Sequence, residues 1–369
     1  MDEEYVIAAV VAEEREYGEG EGEKIYLKRL RDGSNPFDRS ERKFRKLFRL
    51  SRAMDRHVVD TTNYTEEEDL IPKFRFYYRA MEAYMELPLE TAERILSTPW
   101  HNASRTNVIF VHGFTGKPTG PAVTALMEAF LERNDSNVAL LNWEGLAAAV
   151  SPDLASSYLK WAAPNARKLG RRLADALARL SVGGMKLERT QLVGHSLGAH
   201  VLGLAGNALR QDGMLLPWIT ALDPAGVGFK GKPEAGRLHA GSAAVVVAVH
   251  SDPNKYGYRR ALGTVDFWPN YRPGTVRQPG CPEKTGKRFS PEDLCSHNRS
   301  WQLFAEAVAR PGTIVGSRAR NYREWNYYST SQRNASTLDL DAYGKTIVPG
   351  NYYFITMGAP PYGMGEGGF

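Results

Sequence analysis

The fold of this chain is decided by residues 191–200, which read QLVGHSLGAH. A short apolar run leads to Ser196, and small and apolar residues typical of a helix follow it. Glycine stands two positions before the serine and two positions after it, at Gly194 and Gly198. A G-x-S-x-G sequence at the junction of a strand and a helix is typical of a nucleophile elbow, a turn so tight that only glycine fits at those two positions. The stretch therefore predicts strand, turn and helix, with the Ser196 hydroxyl presented at the carboxyl edge of a sheet.

Predicted strands and helices alternate on both sides of this turn. Apolar runs predict strands, and apolar residues at three-and-four spacing predict helices. The predicted strands are residues 74–78, 107–112, 137–143, 191–194, 218–223 and 243–249, and the predicted helices are 121–133, 151–180 with a break at Pro164, 197–209 and 301–308. Such alternation predicts an α/β fold with a mostly parallel central sheet and helices on both faces.

Composition excludes several classes of protein. The chain has 369 residues, of which 42% are hydrophobic and 24% charged. That apolar content excludes a mostly disordered chain, and no apolar run approaches the roughly 18 residues of a spanning helix. Only two cysteines occur, and no Cys/His spacing matches a zinc site. We expect no metal and no cofactor.

The N-terminal region, residues 1–68, differs from the rest of the chain. Residues 2–23 hold nine acidic residues and one arginine, and residues 24–56 hold twelve basic residues against four acidic ones. Adjacent blocks of opposite charge are typical of a solvated tail. We therefore interpret residues 1–68 as a charged, partly mobile extension before a domain at 69–369. The net charge of +5 is then not evidence for nucleic-acid binding.

A second motif, His112-Gly113-Phe114, ends the predicted strand 107–112. Acyl transfer requires two backbone N–H groups aimed at the developing oxyanion. In a fold with a nucleophile elbow, one comes from the residue after the serine and the other from a loop after an earlier strand. Leu197 and Phe114 hold these positions. The alternative is that Gly113 only turns the chain.

The acid and the histidine follow the serine in such folds. Three histidines lie after a plausible acid. His250 ends an apolar run and fits a packed strand residue, and His239 lies in a glycine-rich turn typical of the surface. His297 lies two residues after Cys295 and before the helical run 301–308, and so on a loop that enters a helix.

For the acid, Asp223 ends a predicted strand at the edge where such sites form. Asp266 is the second candidate. The choice from the residues alone is Ser196, Asp223 and His297, with the histidine as general base and the aspartate orienting it.

The two cysteines, Cys281 and Cys295, are compatible with free thiols in a cytosolic protein or with one disulfide in a secreted protein. Asn-x-Ser/Thr sequons favour the secretory alternative and predict a glycoprotein. No signal peptide is recognisable, because the apolar run at 5–12 is short and follows acidic residues. The sequons are at Asn63, Asn102, Asn134, Asn298 and Asn334.

Five stretches in this order resemble the pancreatic-type lipase family, which also includes extracellular phospholipases A1 and the arthropod neutral lipases and yolk proteins. They are VIFVHGFTG, QLVGHSLGAHVLGLAG, ALDPAG, DFWPN with QPGC, and CSHNRS. The resemblance covers roughly residues 70–365. It implies an α/β-hydrolase fold, a triad and an oxyanion hole at the positions given above, and secretion. It also implies a disulfide between Cys281 and Cys295 at the base of a lid over the site, residues 282–294.

The chain departs from the family pattern at several places. The lid has 13 residues, mostly charged or turn-forming, which resembles the phospholipase A1 type and favours phospholipid over triacylglycerol. The family's calcium motif RLDxxDA is replaced by RLHAGSA at 237–243, where His239 and Ser242 stand in place of aspartates. Because calcium prefers charged oxygen ligands, we expect no calcium there. We also expect no C-terminal β-sandwich domain, and hence no colipase.

The resemblance implies a serine carboxylic ester hydrolase of glycerolipids, either phospholipase A1-like or a neutral triacylglycerol lipase. Its partner would be lipid at a membrane or droplet interface. The alternative is a catalytically weak lipid-binding or yolk-type storage protein, although such relatives often lack a triad residue and this chain has all three. A carboxylesterase for soluble esters is a third possibility. Candidates for the acyl groove are Val150, Tyr158 and Trp268. The oligomeric state stays open.

Overall fold

The computed structural model describes residues 70–253, 255–274 and 277–369. All of them belong to one unit, Tyr64–Phe369. The predicted N-terminal extension at 1–68, its boundary and the sequon at Asn63 lie outside the described residues.

The described residues form an α/β fold, as predicted. The strands are Lys73–Tyr78 (β1), Ala80–Pro88 (β2), Thr106–Val111 (β3), Ser136–Asn142 (β4), Thr190–His195 (β5), Trp218–Leu222 (β6), Val245–Val249 (β7), Val265–Pro269 (β8), Val315–Ala319 (β9), Thr337–Asp339 (β10) and Gly350–Phe354 (β11). The α-helices are Pro121–Arg133 (α1), Glu144–Ala147 (α2), Leu154–Ser157 (α3), Ala163–Val182 (α4), Leu197–Gln211 (α5), Cys295–Ala309 (α6), Tyr322–Tyr327 (α7) and Thr330–Asn334 (α8).

Within the described part of the chain, the strands form one sheet in the order β10-β9-β11-β8-β7-β6-β5-β3-β4-β1-β2. The run from β11 to β4 is parallel. It is flanked by β9 and β1, which are antiparallel to it, and the outermost strands β10 and β2 are in turn antiparallel to β9 and β1. Parallel strands place their carboxyl ends at one edge of a sheet. The residues that follow β3, β5, β6 and β7 therefore lie close together.

Two apolar layers hold the helices to the sheet. Leucines and alanines of α4 and α5 pack on one face, and residues of α1 and α6 pack on the other. Successive residues of β3 enter opposite layers, Ile109 with α4 and α5, Phe110 with α1 and α6. Each such fully buried side chain contributes roughly 1.5–3 kcal/mol. The helices thereby fix the strand ends that carry the site.

The predicted helix at 151–180 is interrupted. Its first turn, α3, continues into a wider π-helical turn at Tyr158–Ala162, and regular α-helix resumes at Ala163. Pro164, which has no N–H group to donate, therefore lies directly after the π-helical turn, in the first turn of α4. Among the described residues, none of the helices combines the length and the apolar composition that a membrane span requires.

Candidate active site

Ser196 lies on a strained turn between β5 and α5. Its backbone has φ 54° and ψ −117°, a conformation that non-glycine residues adopt at an energetic cost. A Cβ built on Gly194 would lie 2.7 Å from the backbone nitrogen of Ala199, and one on Gly198 would lie 2.2 Å from the carbonyl oxygen of Val111. Both glycines are therefore required by close backbone contacts, and the turn holds Ser196 at the carboxyl end of the central strand.

Asp223 follows β6 at the same edge and is completely buried. Its Oδ1 accepts hydrogen bonds from the backbone N–H groups of Ser251, at 2.9 Å, and Asp252, at 3.0 Å. Its Oδ2 lies 2.5 Å from Nδ1 of His297. The carboxylate is thus oriented by the end of β7 and directs its free oxygen at the imidazole.

His297 lies within the first turn of α6, not on the loop before the helix as the sequence predicted. The helix begins at Cys295, six residues before the predicted start at Trp301, and His297 is its third residue. The imidazole ring lies 4.8 Å, centroid to centroid, from the ring of His195, the residue before the serine. The structure therefore brings the predicted acid and base to the elbow.

The burial of this pair sets its proton affinities. Burial lowers the pKa of His297 well below its usual value, so the ring is neutral near pH 7. Burial raises the pKa of Asp223, whereas the backbone N–H groups of Asp252 and Ser251 favour its ionised form. Because Nδ1 faces the carboxylate, it carries the proton, and Nε2 has a free lone pair. The imidazole is chemically equipped to accept a proton.

The other candidates, His250 and Asp266, form a separate pair. Nε2 of His250 lies 2.7 Å from Oδ1 of Asp266, and its Nδ1 lies 3.0 Å from the carbonyl oxygen of Tyr258. Asp266 also accepts hydrogen bonds from the backbone of Leu262 and Gly263. Both ring nitrogens of His250 are therefore engaged away from Ser196, consistent with a packed strand residue.

The loop after β3 lies directly against the serine. A Cβ on Gly113 would lie 2.9 Å from Cβ of Ser196 and 3.5 Å from its Oγ. The loop is held by a hydrogen bond of 3.0 Å from the Trp143 indole to the carbonyl of His112. Leu197 is the first residue of α5, where helix geometry leaves backbone N–H groups without helical partners. The loop and the helix terminus thus flank Ser196, where an oxyanion hole requires them.

A disulfide joins Cys281 and Cys295 at the base of the lid, with a Cα–Cα distance of 5.7 Å. Closing a loop of this size contributes roughly 3 kcal/mol to stability. In the lid, the Phe289 ring lies 5.9 Å from the ring of Phe114 and 5.3 Å from that of Tyr256. The lid therefore covers the site with an aromatic side chain.

A buried carboxylate fixes the lid in this position. Asp293 accepts hydrogen bonds from Nζ of Lys255, at 2.5 Å, from the hydroxyl of Tyr256, and from the backbone N–H of Phe289, at 3.0 Å. The charged residues of the lid were interpreted from the sequence only as a resemblance to the phospholipase A1 type, and this network was not predicted. The available signal was that Phe289 is the single aromatic residue in the lid sequence.

The three acyl-groove candidates have different surroundings. The ring of Tyr158 lies 5.4 Å from Phe114, and its hydroxyl donates to the carbonyl of Val227, so it borders the site. Trp268 stacks on His250, with 4.0 Å between ring centroids, and belongs to β8. Val150 is half-buried in the segment after α2.

The two positions of the calcium motif are engaged in hydrogen bonds. His239 Nδ1 accepts from the backbone N–H of Gly241, at 3.1 Å, and Ser242 Oγ donates to Oδ1 of Asn207, at 2.8 Å. Across the described residues, no group of three or more His, Cys, Asp or Glu side chains gathers in a geometry that could hold a metal ion. This turn is held by hydrogen bonds of its side chains to a main-chain N–H group and to a neighbouring side chain.

The order of the strands in the sheet, the nucleophile elbow at Ser196 and the loops at the carboxyl ends of the strands define the fold as that of an α/β-hydrolase. The chain belongs to the lipase family, because the family model described as "Lipase" matches residues 52–336. The predicted family resemblance is thereby confirmed.

Two relatives illustrate the similarity. Lipase member H-B of Xenopus laevis is 36% identical over 231 residues, which are 61% of this chain and 46% of that protein. Phospholipase A1 of Vespa crabro is 30% identical over 269 residues, 71% of this chain and 85% of that protein. The chain thus spans about half the length of the lipase member H proteins. Among solved structures, the HSL homologue EstE7 from a metagenome library aligns with 55% of this chain and 56% of its own, at 14% identity and a TM-score of 0.26.

Proposed function

We propose that this chain is a serine carboxylic ester hydrolase that releases fatty acid from glycerolipids. The observation that carries the proposal is the 2.5 Å contact between Nδ1 of His297 and Oδ2 of Asp223 beside the strained Ser196. A buried acid, an imidazole and a serine on a nucleophile elbow are the groups that acyl transfer requires. Membership in the lipase family and the names of the relatives support glycerolipids as substrates.

The reaction begins when Nε2 of His297 takes the proton of the Ser196 hydroxyl and Oγ attacks the ester carbonyl carbon. The negative charge on the carbonyl oxygen is stabilised by the backbone N–H groups of Phe114 and Leu197. Asp223 keeps the proton on Nδ1 and stabilises the imidazolium. The tetrahedral intermediate then expels the alcohol, which takes the proton from His297, and leaves an acyl-enzyme.

Water completes the cycle. His297 removes a proton from a water molecule, whose oxygen attacks the acyl carbon, and a second tetrahedral intermediate forms in the same oxyanion hole. Its collapse returns the proton to Oγ of Ser196 and releases a free fatty acid. The only reactants required are the ester and water.

Phospholipid is the substrate class that we favour within this proposal. The lid of 13 residues is short, and a short lid leaves room for a polar head group beside the ester. The relative from Vespa crabro, which is matched over 85% of its length, is named a phospholipase A1. A lipid membrane surface is accordingly the proposed partner.

Secretion is part of the same proposal. The disulfide between Cys281 and Cys295 favours an oxidising compartment. The sequons at Asn102, Asn134 and Asn334 are exposed, whereas Asn298 is half-buried within α6. Expression in a secreting eukaryotic cell, with and without glycosidase treatment of the medium, tests this. A protein in the medium that becomes smaller after glycosidase treatment supports secretion. A protein that stays inside the cells and has the mass of the unmodified chain contradicts it.

The proposed activity is tested by fatty-acid release from phosphatidylcholine liposomes and from emulsified triolein, each with and without calcium. Ser196→Ala is the control, because it removes only the nucleophilic oxygen. Calcium-independent release from liposomes that is absent in Ser196→Ala supports the proposal. Release from triolein alone overturns the phospholipid preference. No release from either lipid by folded protein overturns the hydrolase and favours a lipid-binding or storage protein.

A further inference from the structure

Gln278 is a completely buried amide just before the lid. Its Nε2 donates two hydrogen bonds of 2.9 Å, one to the carbonyl of Ser251 after β7 and one to the carbonyl of Pro269 at the end of β8. Its Oε1 accepts a hydrogen bond of 2.8 Å from Nδ2 of Asn270. One side chain thus satisfies two carbonyl groups and one amide at the carboxyl ends of two adjacent strands.

The backbone of Gln278 contacts the helix that carries His297. Its N–H donates to Oγ of Ser296, at 3.1 Å, and Ser296 is the neighbour of His297 in α6. The next residue, Pro279, accepts a hydrogen bond of 2.9 Å at its carbonyl from the buried Arg299 of the same helix. The disulfide of Cys281 with Cys295 adds a covalent link to the start of α6. The segment 278–281 is therefore fixed to the first turns of α6.

Ser251 connects these contacts to the acid. Its backbone N–H donates to Oδ1 of Asp223, at 2.9 Å, and its hydroxyl donates to the carbonyl of His297, at 3.3 Å. Its own carbonyl is the group that Gln278 binds. Gln278 thus holds the support of Asp223 with its side chain and the helix of His297 with its backbone.

We propose that Gln278 is a positioning residue that sets the distance between His297 and Asp223. This role rests on the proposed function, because positioning matters only if the pair acts in catalysis. Buried carbonyl groups require donors, and in this place only a primary amide offers two donors and one acceptor at once. Without it, the carbonyl groups of Ser251 and Pro269 lose their common donor, the residues after β7 are held less tightly against α6, and the pair loses its fixed geometry.

The test compares Gln278→Met with Gln191→Met. Methionine keeps the volume and removes the hydrogen bonds. Gln191 is a matched control, because it is also buried but lies in β5, near its amino end, where its side chain donates a hydrogen bond of 3.4 Å to Thr220. The readouts are kcat and KM on a soluble short-chain ester, and the far-downfield proton resonance of His297 Nδ1–H, assigned by its loss in His297→Gln.

We expect Gln278→Met to lower kcat about a hundredfold, the effect of a small misplacement of a catalytic group, with KM nearly unchanged. The Nδ1–H resonance should be lost or broadened, and Gln191→Met should change neither readout. Unchanged kcat and resonance in Gln278→Met overturn the proposal, as does an equal loss in Gln191→Met.

If Gln278→Met does not fold, Ser296→Ala takes its place, because it removes only the acceptor of the Gln278 backbone N–H. A lowered kcat at an unchanged melting temperature supports the proposal, and an unchanged kcat overturns it. If the wild-type chain hydrolyses no ester, the proposed function fails, and the Nδ1–H resonance alone decides whether Gln278 positions the pair.

Discussion

Gly113 lies so close to Ser196 that a Cβ added to the glycine would be 2.9 Å from the serine's own Cβ. In proteins, a Cβ essentially never comes within 3.0 Å of a heavy atom outside its own residue and the two chain neighbours of that residue. Neither backbone can easily move, because the serine lies on the elbow and the loop after β3 is held by Trp143. The contact therefore links the two elements that we propose to form the oxyanion hole.

Gly113→Ala should displace this loop from the serine. We expect at least a hundredfold loss of kcat on a soluble ester, about the effect of losing one oxyanion donor, and a stability loss of about 1–3 kcal/mol from overpacking. Gly236→Ala is the control, because its Cβ would meet only Cβ of Lys232, at 3.9 Å. Full activity in Gly113→Ala would show that the loop does not form part of the site.

Asp223→Asn should identify the acid. The asparagine side chain presents either an N–H donor or an uncharged oxygen to Nδ1 of His297. It therefore neither keeps the proton on Nδ1 nor stabilises the imidazolium, and kcat should fall by about 10⁴-fold. Asp266→Asn is the matched variant, because Asp266 also contacts a histidine at 2.7 Å in the core. It should lower the melting temperature and leave kcat within a few-fold. The reverse outcome would assign the acid to Asp266.

The pH dependence of kcat/KM should reflect the buried histidine. His297 must be neutral to accept the serine proton, so activity is lost as the pH falls through the pKa of the Asp223–His297 pair. Burial lowers the pKa of His297 below 6.5, and we therefore expect the acid limb below pH 6.5. A limb at or above pH 6.5 would contradict this.

The pH profile requires a check of the fold at each pH. Burial also lowers the pKa values of His112 and His200, to about 4 and about 3. The unfolded chain then binds protons more tightly than the folded chain, so these two groups favour unfolding as the pH falls below 6.5. Circular dichroism separates this loss from the titration of His297.

Asp293→Ala should release the lid. The carboxylate accepts hydrogen bonds from Lys255, Tyr256 and the Phe289 backbone, and without it Phe289 is no longer fixed against Phe114. We expect hydrolysis of a soluble ester to increase up to about tenfold, equivalent to about 1.4 kcal/mol. Asp175→Ala, which removes an exposed ion pair with Arg171, should have no effect. A decrease in Asp293→Ala would mean that the lid supports the site and does not obstruct it.

The sequence predicted the elements with strong local patterns. The central strands are apolar runs, and the elbow has a specific glycine spacing, so β3 to β7, the long helices and Ser196 could be read directly. The edge strands β2 and β10 and the strands β8, β9 and β11 were not predicted. These strands are short or contain glycine or proline. They are stabilised by pairing with neighbouring strands more than by the strand propensity of their own residues.

Asp223 and His297 could be chosen from residue order and strand ends, although Asp266 stayed open because sequence order does not show which acid faces which histidine. The contacts of Gln278 and Asp293 could not be predicted. Gln278 binds residues up to 27 positions away, and Asp293 binds residues up to 38 positions away. Such contacts arise only when the chain is folded, and a buried amide has no periodic pattern that would indicate its partners.

The central claim is that Ser196 is a nucleophile activated by His297 and Asp223. The most direct measurement is reaction of the folded chain with a fluorophosphonate ester, followed by peptide mass spectrometry. We predict one stoichiometric adduct on Ser196, absent in Ser196→Ala and formed far more slowly in His297→Gln and Asp223→Asn. No adduct, an adduct on another residue, or an unchanged rate in these two variants would contradict the account.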